Sequence, residues 1–210
     1  MRNRYYPYVV VLTVLFCFAI PLQAGGKLVI SDGELILLSD KTLRLMEDAA
    51  RGNAKAQSQL GQNYLMRNRI GYNPAEGIRL LKAAIAQGYA NAGANLGYSY
   101  RAGIGVDINF EESAKWFEAA ANLGHLGAQT NIAVMYLRGQ GVAKNEKTAL
   151  MWFHAAANKG DPVALRSIGY LYETGTGVEQ NYDTAQQWYQ VAALKGDALA
   201  QTRLGKLYLE

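Results

Sequence analysis

Residues 124–160 read GHLGAQTNIAVMYLRGQGVAKNEKTALMWFHAAANKG, and the pattern of this stretch returns along the chain. The opening glycine recurs at Gly52, Gly88, Gly124, Gly160 and Gly196, always 36 residues apart. The same step relates Ala56, Ala92, Ala128, Ala164 and Ala200, and also Tyr64, Tyr100, Tyr136, Tyr172 and Tyr208. Trp116, Trp152 and Trp188 obey it as well. Self-similarity at one fixed period of this size is the mark of a repeat array, so each unit is one supersecondary element that buries its apolar face only against its neighbours.

One unit shows what that element is. Ala92, Leu96 and Tyr100 lie at i, i+4 and i+8, which places them on one face of a helix. Leu60, Ile132, Ile168 and Leu204 are the equivalents of Leu96, and the next residue is small in every unit: Gly61, Gly97, Ala133, Gly169, Gly205. Glycine inside a helix costs about 1 kcal/mol relative to alanine. Five small residues in one column therefore predict that two helices cross there at close range.

The first helix is expected to stop at a Gly-x-Gly-Val loop: Gly103-Ile-Gly105-Val106, Gly139-Gln-Gly141-Val142 and Gly175-Thr-Gly177-Val178. Glycine just past a helix end adopts the left-handed conformation that closes it. A nucleotide-binding loop is excluded by three absences: a third fingerprint glycine, a preceding strand and a following lysine–serine pair. The second helix starts on Asn73, Asn109, Asn145 and Asn181, again 36 apart, and asparagine is among the best N-cap residues. Small residues and aromatics follow at Ser113 and Trp116, Ala149 and Trp152, Ala185 and Trp188, and then alanine pairs. Large and small residues alternating at helical spacing describe a packed interface. The tryptophans are expected in the core rather than as an exposed carbohydrate platform.

The fold class expected is all-α, an α-solenoid of stacked antiparallel helix pairs. Four full repeats span 52–87, 88–123, 124–159 and 160–195, with a partial fifth at 196–210. The first repeat departs from the others, with Arg67-Asn68-Arg69-Ile70-Gly71 in place of Gly-x-Gly-Val and Leu80 in place of tryptophan. A differently shaped loop is expected there, with Asn68 or Gly71 as its left-handed residue. Ahead of the repeats, Ser39 or Asp40 caps a helix over about 41–50, read as an orphan second helix that shields the front of the stack (domain 40–51). Residues 25–39 hold two short apolar runs around Asp32-Gly33, which suits either a small hairpin or a loose arm.

The first 24 residues have the layout of a secretory signal peptide. Arg2 and Arg4 precede an apolar core from Val9 to Ile20, and Ala24 and Gly25 supply small residues for cleavage after Ala24. An uncleaved anchor is the alternative, since Tyr5–Leu22 is 18 residues long. Cys17 is the only cysteine and lies inside this segment, so the mature chain would rely on packing instead of disulfides. The formal charge is +4; loss of Arg2 and Arg4 leaves 19 basic residues against 17 acidic ones. That balance is too small for a nucleic-acid footprint. After signal cleavage no membrane span is expected.

The pattern Ala-x3-Leu-Gly-x2-Tyr-x2-Gly-x-Gly-Val, then Ala-x2-Trp-Phe/Tyr-x2-Ala-Ala-x2-Gly, resembles the SEL-one-like repeat (SLR) family, a relative of the tetratricopeptide repeats. The resemblance covers Gly52–Glu210. It implies an interaction module, commonly an exported bacterial adaptor in envelope assembly, signalling or host contact. Some cysteine-rich members are associated with β-lactam binding or slow hydrolysis, and the absence of paired cysteines here sets this chain apart from them.

Chemistry is not visible in the residues. His125 and His154 stand in different segments, no metal-ligand spacing occurs, and no nucleophile motif is present. No catalytic residue, cofactor or metal is therefore expected. Opposite the packed face of the first helix runs a row that differs between repeats, and by resemblance it lines a concave groove. Its members are Lys55, Ser58, Gln62 and Leu65; Asn91, Ala94, Tyr98 and Arg101; Gly127, Thr130, Val134 and Leu137; Val163, Arg166, Tyr170 and Glu173; Leu199, Thr202, Lys206 and Leu209. The candidate partner-binding set is Lys55, Gln62, Asn91, Tyr98, Arg101, Thr130, Val134, Arg166, Tyr170, Glu173 and Lys206. Tyrosine and arginine are favoured where interfaces concentrate their energy, so Tyr98, Tyr170, Arg101, Arg166 and Lys206 are the expected anchors. The expected function is an exported, periplasmic or secreted non-catalytic scaffold that binds a protein or peptide in an envelope or host-contact process. A cell-wall or β-lactam hydrolase is the alternative, and docking through the C-terminal helix, including Leu207, is a third reading.

Overall fold

The structure, a computed structural model, describes residues 26–31, 34–66 and 71–208. The expected signal peptide at 1–24, the Asp32-Gly33 turn, Asn68 and Leu209 lie outside the described residues. Among those described, two short strands precede ten α-helices. β1 (Gly26–Ser31) and β2 (Glu34–Ser39) pair antiparallel, with Val29 opposite Ile36. The helices are α1 (Asp40–Ala50), α2 (Ala54–Leu65), α3 (Pro74–Ala86), α4 (Ala90–Ala102), α5 (Phe110–Asn122), α6 (Leu126–Arg138), α7 (Glu146–Ala157), α8 (Pro162–Thr174), α9 (Tyr182–Leu194) and α10 (Ala198–Leu207). This is an α-solenoid of helix pairs. The described residues form two compact units, one ending at Gln87 and the other beginning at Gly88.

In the first unit, Ser39 caps α1 by accepting from the Thr42 N–H. Leu45, Met46 and Ala49 of α1 pack with Ala56, Leu60 and Tyr64 of α2 and Leu80 of α3. The α2–α3 crossing is glycine against glycine: a Cβ on Gly77 would stand 2.8 Å from the Gly61 carbonyl oxygen. Gly71 in the irregular loop is left-handed, at φ +81°.

In the second unit the same pair repeats as α4–α5, α6–α7 and α8–α9, and α10 opens the next. Each first helix ends on a left-handed glycine, Gly103, Gly139 or Gly175, with φ between +66° and +70°. The loop then closes on the tyrosine of the helix it has just left. The Asn109 N–H donates to the Tyr100 carbonyl, Asn145 to Tyr136 and Asn181 to Tyr172, each at 2.9 Å. The same asparagine side chains accept from Glu112, Thr148 and Thr184 to cap the second helix. One residue thus seals the loop and starts the next helix, which explains its invariant place in the repeat.

The close crossing expected from the small-residue column is present. A Cβ on Gly97 would meet the Phe117 ring at 2.8 Å, and one on Gly169 the Tyr189 ring at 2.7 Å. These rings correct the reading of the tryptophans. Trp116, Trp152 and Trp188 are half-buried, whereas the residue after each of them, Phe117, Phe153 or Tyr189, is at most 1% exposed. Adjacent positions on a helix are turned by about 100°, so only one of two neighbouring aromatics can enter the crossing. Trp152 and Trp188 lie in the seam between repeats instead. Trp152 touches the apolar clusters on both sides of it, Trp188 meets His154 edge-on at 5.4 Å, and the Trp116 indole donates to Glu112.

Candidate binding face

The first helices also start on a repeated device. Asn53, His125, Asp161 and Asp197 are N-caps whose side chains accept from the backbone of the first turn. The residue type and its place straight after the turn glycine (Gly52, Gly124, Gly160, Gly196) carry that signal in the sequence.

In the second unit these caps tie neighbouring first helices together. Asp161 caps α8 and accepts from the Thr130 hydroxyl at 3.2 Å. Asp197 caps α10 and lies 3.1 Å from Arg166 Nε, with both side chains largely shielded. Two further links run alongside. Arg101 donates to Asn131 at 2.6 Å, and Arg203 to Glu173 at 2.9 Å. Burial and the carboxylate of Glu173, to which the phenol donates, push the Tyr189 hydroxyl's pKa well above the ordinary tyrosine range.

The first-helix face is therefore partly a seam, and the expected row divides accordingly. Thr130 is buried and bonded to Asp161, and Val134 packs on the apolar core. Neither is presented to a partner, and the same correction applies to Ser58 and Leu65, which are buried in the first unit. Lys55 is exposed and Gln62 half-buried in that unit. In the second unit Asn91, Tyr98, Tyr170 and Lys206 are exposed, and Arg101, Arg166 and Glu173 are half-buried and held by the bonds above.

Two tyrosines stand out on this face. Tyr98 is 50% exposed, with the Arg101 guanidinium 5.1 Å from its ring centre. Tyr170 is 40% exposed, with Arg203 at 5.2 Å. They occupy the same column two repeats apart. Around Tyr170, α8 and α10 enclose a cleft of about 240 Å³ that brings Arg166, Tyr170 and Lys206 together with Leu199, Thr202 and Arg203. Arg203 lies one column beyond the expected row and enters through its bond to Glu173.

Among the described residues no cluster of three or more His, Cys, Asp or Glu is placed to hold a metal ion. No helix among them is long and apolar enough to cross a membrane. His125 and His154 both have pKa values lowered by burial. His125 Nδ1 accepts from the Ala128 N–H, and His154 lies against Trp188, so both are explained by packing and capping.

The fold is shared with solved structures. A Sel1 repeat protein from Oxalobacter formigenes is 36% identical with a TM-score of 0.73, covering 80% of this chain and 69% of that one. The c5321 protective antigen of uropathogenic Escherichia coli, which displays an SLR fold, is 32% identical with a TM-score of 0.74. That match covers 80% of this chain, which spans only 36% of the antigen's length. No curated protein matches. The Sel1 repeat model matches residues 54–89, 90–125, 127–161, 162–197 and 198–210. Five consecutive matches over most of the chain, on the helix pairs and loops described above, place it by sequence and by architecture: the chain belongs to the Sel1 repeat family.

Proposed function

We propose that this protein is an exported, non-catalytic scaffold that holds a protein or peptide segment along the first-helix face of its repeats. Sel1 repeat proteins are generally protein-interaction scaffolds. The observation that carries the finer reading is the pair Tyr98 and Tyr170. Each is a large aromatic left exposed in a column where the packing does not require one, and each is set against an arginine. Rigid aromatics beside arginine are the residue types that concentrate binding energy at interfaces. Export rests on the basic, apolar and small-residue order of residues 1–24. A periplasmic or secreted setting follows from that segment if it is cleaved, and an anchored one if it is not.

The test is photo-crosslinking in the native cell from a reactive residue at position 98 or 170, with Lys115 on the second helix as control. A discrete adduct from 98 and 170 and none from 115 is the expected result. Absence of adducts at both face positions, in folded protein, would contradict the proposal.

A further inference from the structure

We propose that the cleft between α8 and α10 takes the carboxylate side chains of an acidic peptide, an inference that rests on the face-binding function above. The cations lining the cleft are Arg166, Arg203 and Lys206, and no acidic side chain among the described residues lines it. The two acids nearby approach from the flanks and use only part of each guanidinium. Asp197 meets Arg166 through Nε, and Glu173 meets Arg203 through Nη1. A guanidinium has five N–H donors in a fixed fork, so each arginine is oriented by its acid while keeping donors for a second carboxylate. Lys206 is exposed and has no ion-pair partner among the described residues. Among the described residues the cleft thus holds two pre-oriented forks and one unpaired ammonium, an arrangement that favours added negative charge.

Size and lining narrow the ligand further. A cleft of about 240 Å³ is below the usual range for drug-sized ligands and suits one or two side chains of a longer segment. Leu199, 61% exposed, and Tyr170 offer apolar surface for the aliphatic part of a glutamate, whose carboxylate would then reach the cations. The attraction is between partly exposed charges, so it weakens as salt rises.

The experiment uses the full chain and fluorescein-labelled hexaglutamate, with hexaglutamine as the neutral reference, read by fluorescence anisotropy. Saturable binding of hexaglutamate, at least ~10-fold tighter than hexaglutamine and weakening with salt, is expected. Lys206→Glu should weaken it by about tenfold or more, while Lys115→Glu leaves it unchanged, both with wild-type circular dichroism. Equal binding of the two peptides, or Lys206→Glu binding like wild type, would overturn the inference. The two readings fail separately. Crosslinks from position 170 to a segment without acidic residues would sink the acidic ligand and keep the face. Loss of all face crosslinks would remove the face itself.

Discussion

The backbone of Gly141 rests on the carbonyl of Phe110: a Cβ at position 141 would stand 2.0 Å from that oxygen. The loop of one repeat therefore sits directly on the first turn of the second helix in the repeat before it. Gly177 repeats the contact against Glu146, where a Cβ would come within 2.7 Å of the Glu146 side chain. The two glycines of the Gly-x-Gly-Val loop consequently have different roles. The first closes its own helix, and the second lets adjacent repeats touch. Gly141→Ala must both hold φ near +70° and push back a backbone carbonyl, so a loss of about 2–4 kcal/mol in denaturant unfolding is expected. Gly139→Ala keeps the left-handed strain but meets Lys144 no closer than 3.3 Å, so it should cost less, about 1–2 kcal/mol.

One column of the repeat should give opposite signs in different repeats. At Gly97 and Gly169 an alanine methyl would stand under 3 Å from an aromatic ring, so alanine at either should destabilise despite its better helix propensity. Gly205 in α10 has open space around it, and Gly205→Ala should stabilise by about 0.5–1 kcal/mol. Thermal melts of the three single variants check this directly.

The buried aromatic and its neighbour should differ clearly. Phe153 is fully buried in the α6–α7 crossing, so Phe153→Ala should cost about 3–5 kcal/mol. Trp152 is half-buried on the seam, and Trp152→Ala should cost measurably less. Urea unfolding of both variants is the measurement, and a larger loss for Trp152 would return the tryptophan to the core.

Acid should loosen the stack through the histidines. Burial lowers the folded pKa of His125 and His154 below the unfolded value near 6.5. A depressed folded pKa means stability that is complete above about pH 6.5 and lost as the pH falls through the folded values. His125 adds a mechanism, since protonating Nδ1 removes the acceptor that caps α6 and places a positive charge at a helix N-terminus. His125→Asp copies the caps at Asp161 and Asp197. It should raise stability by about 0.5–1 kcal/mol and flatten the acid loss that sets in below the unfolded value. An unchanged pH profile in that variant would remove His125 as its source.

What could be read from the chain was what is local. Period, asparagine caps, left-handed glycines and small crossing residues are signals within one helix or one loop. Two things were not legible. Trp-Phe and Trp-Tyr dipeptides present two large rings, and sequence alone does not say which one turns inward. The contacts between repeats join residues about 30 apart, as with Gly141 and Phe110, Thr130 and Asp161, or Arg203 and Glu173. Those contacts decide which members of the variable row are free. Tyr98 and Tyr170 remain exposed, whereas Thr130 is taken by Asp161.

The most direct test of the scaffold reading is the affinity of the crosslinked partner for Tyr98→Ala/Tyr170→Ala, measured by calorimetry beside Met151→Ala as an exposed control on the second helix. With helicity and melting preserved, the account predicts a loss of at least about 100-fold for the double variant and none for the control. Equal affinity in all three proteins would contradict binding along the first-helix face.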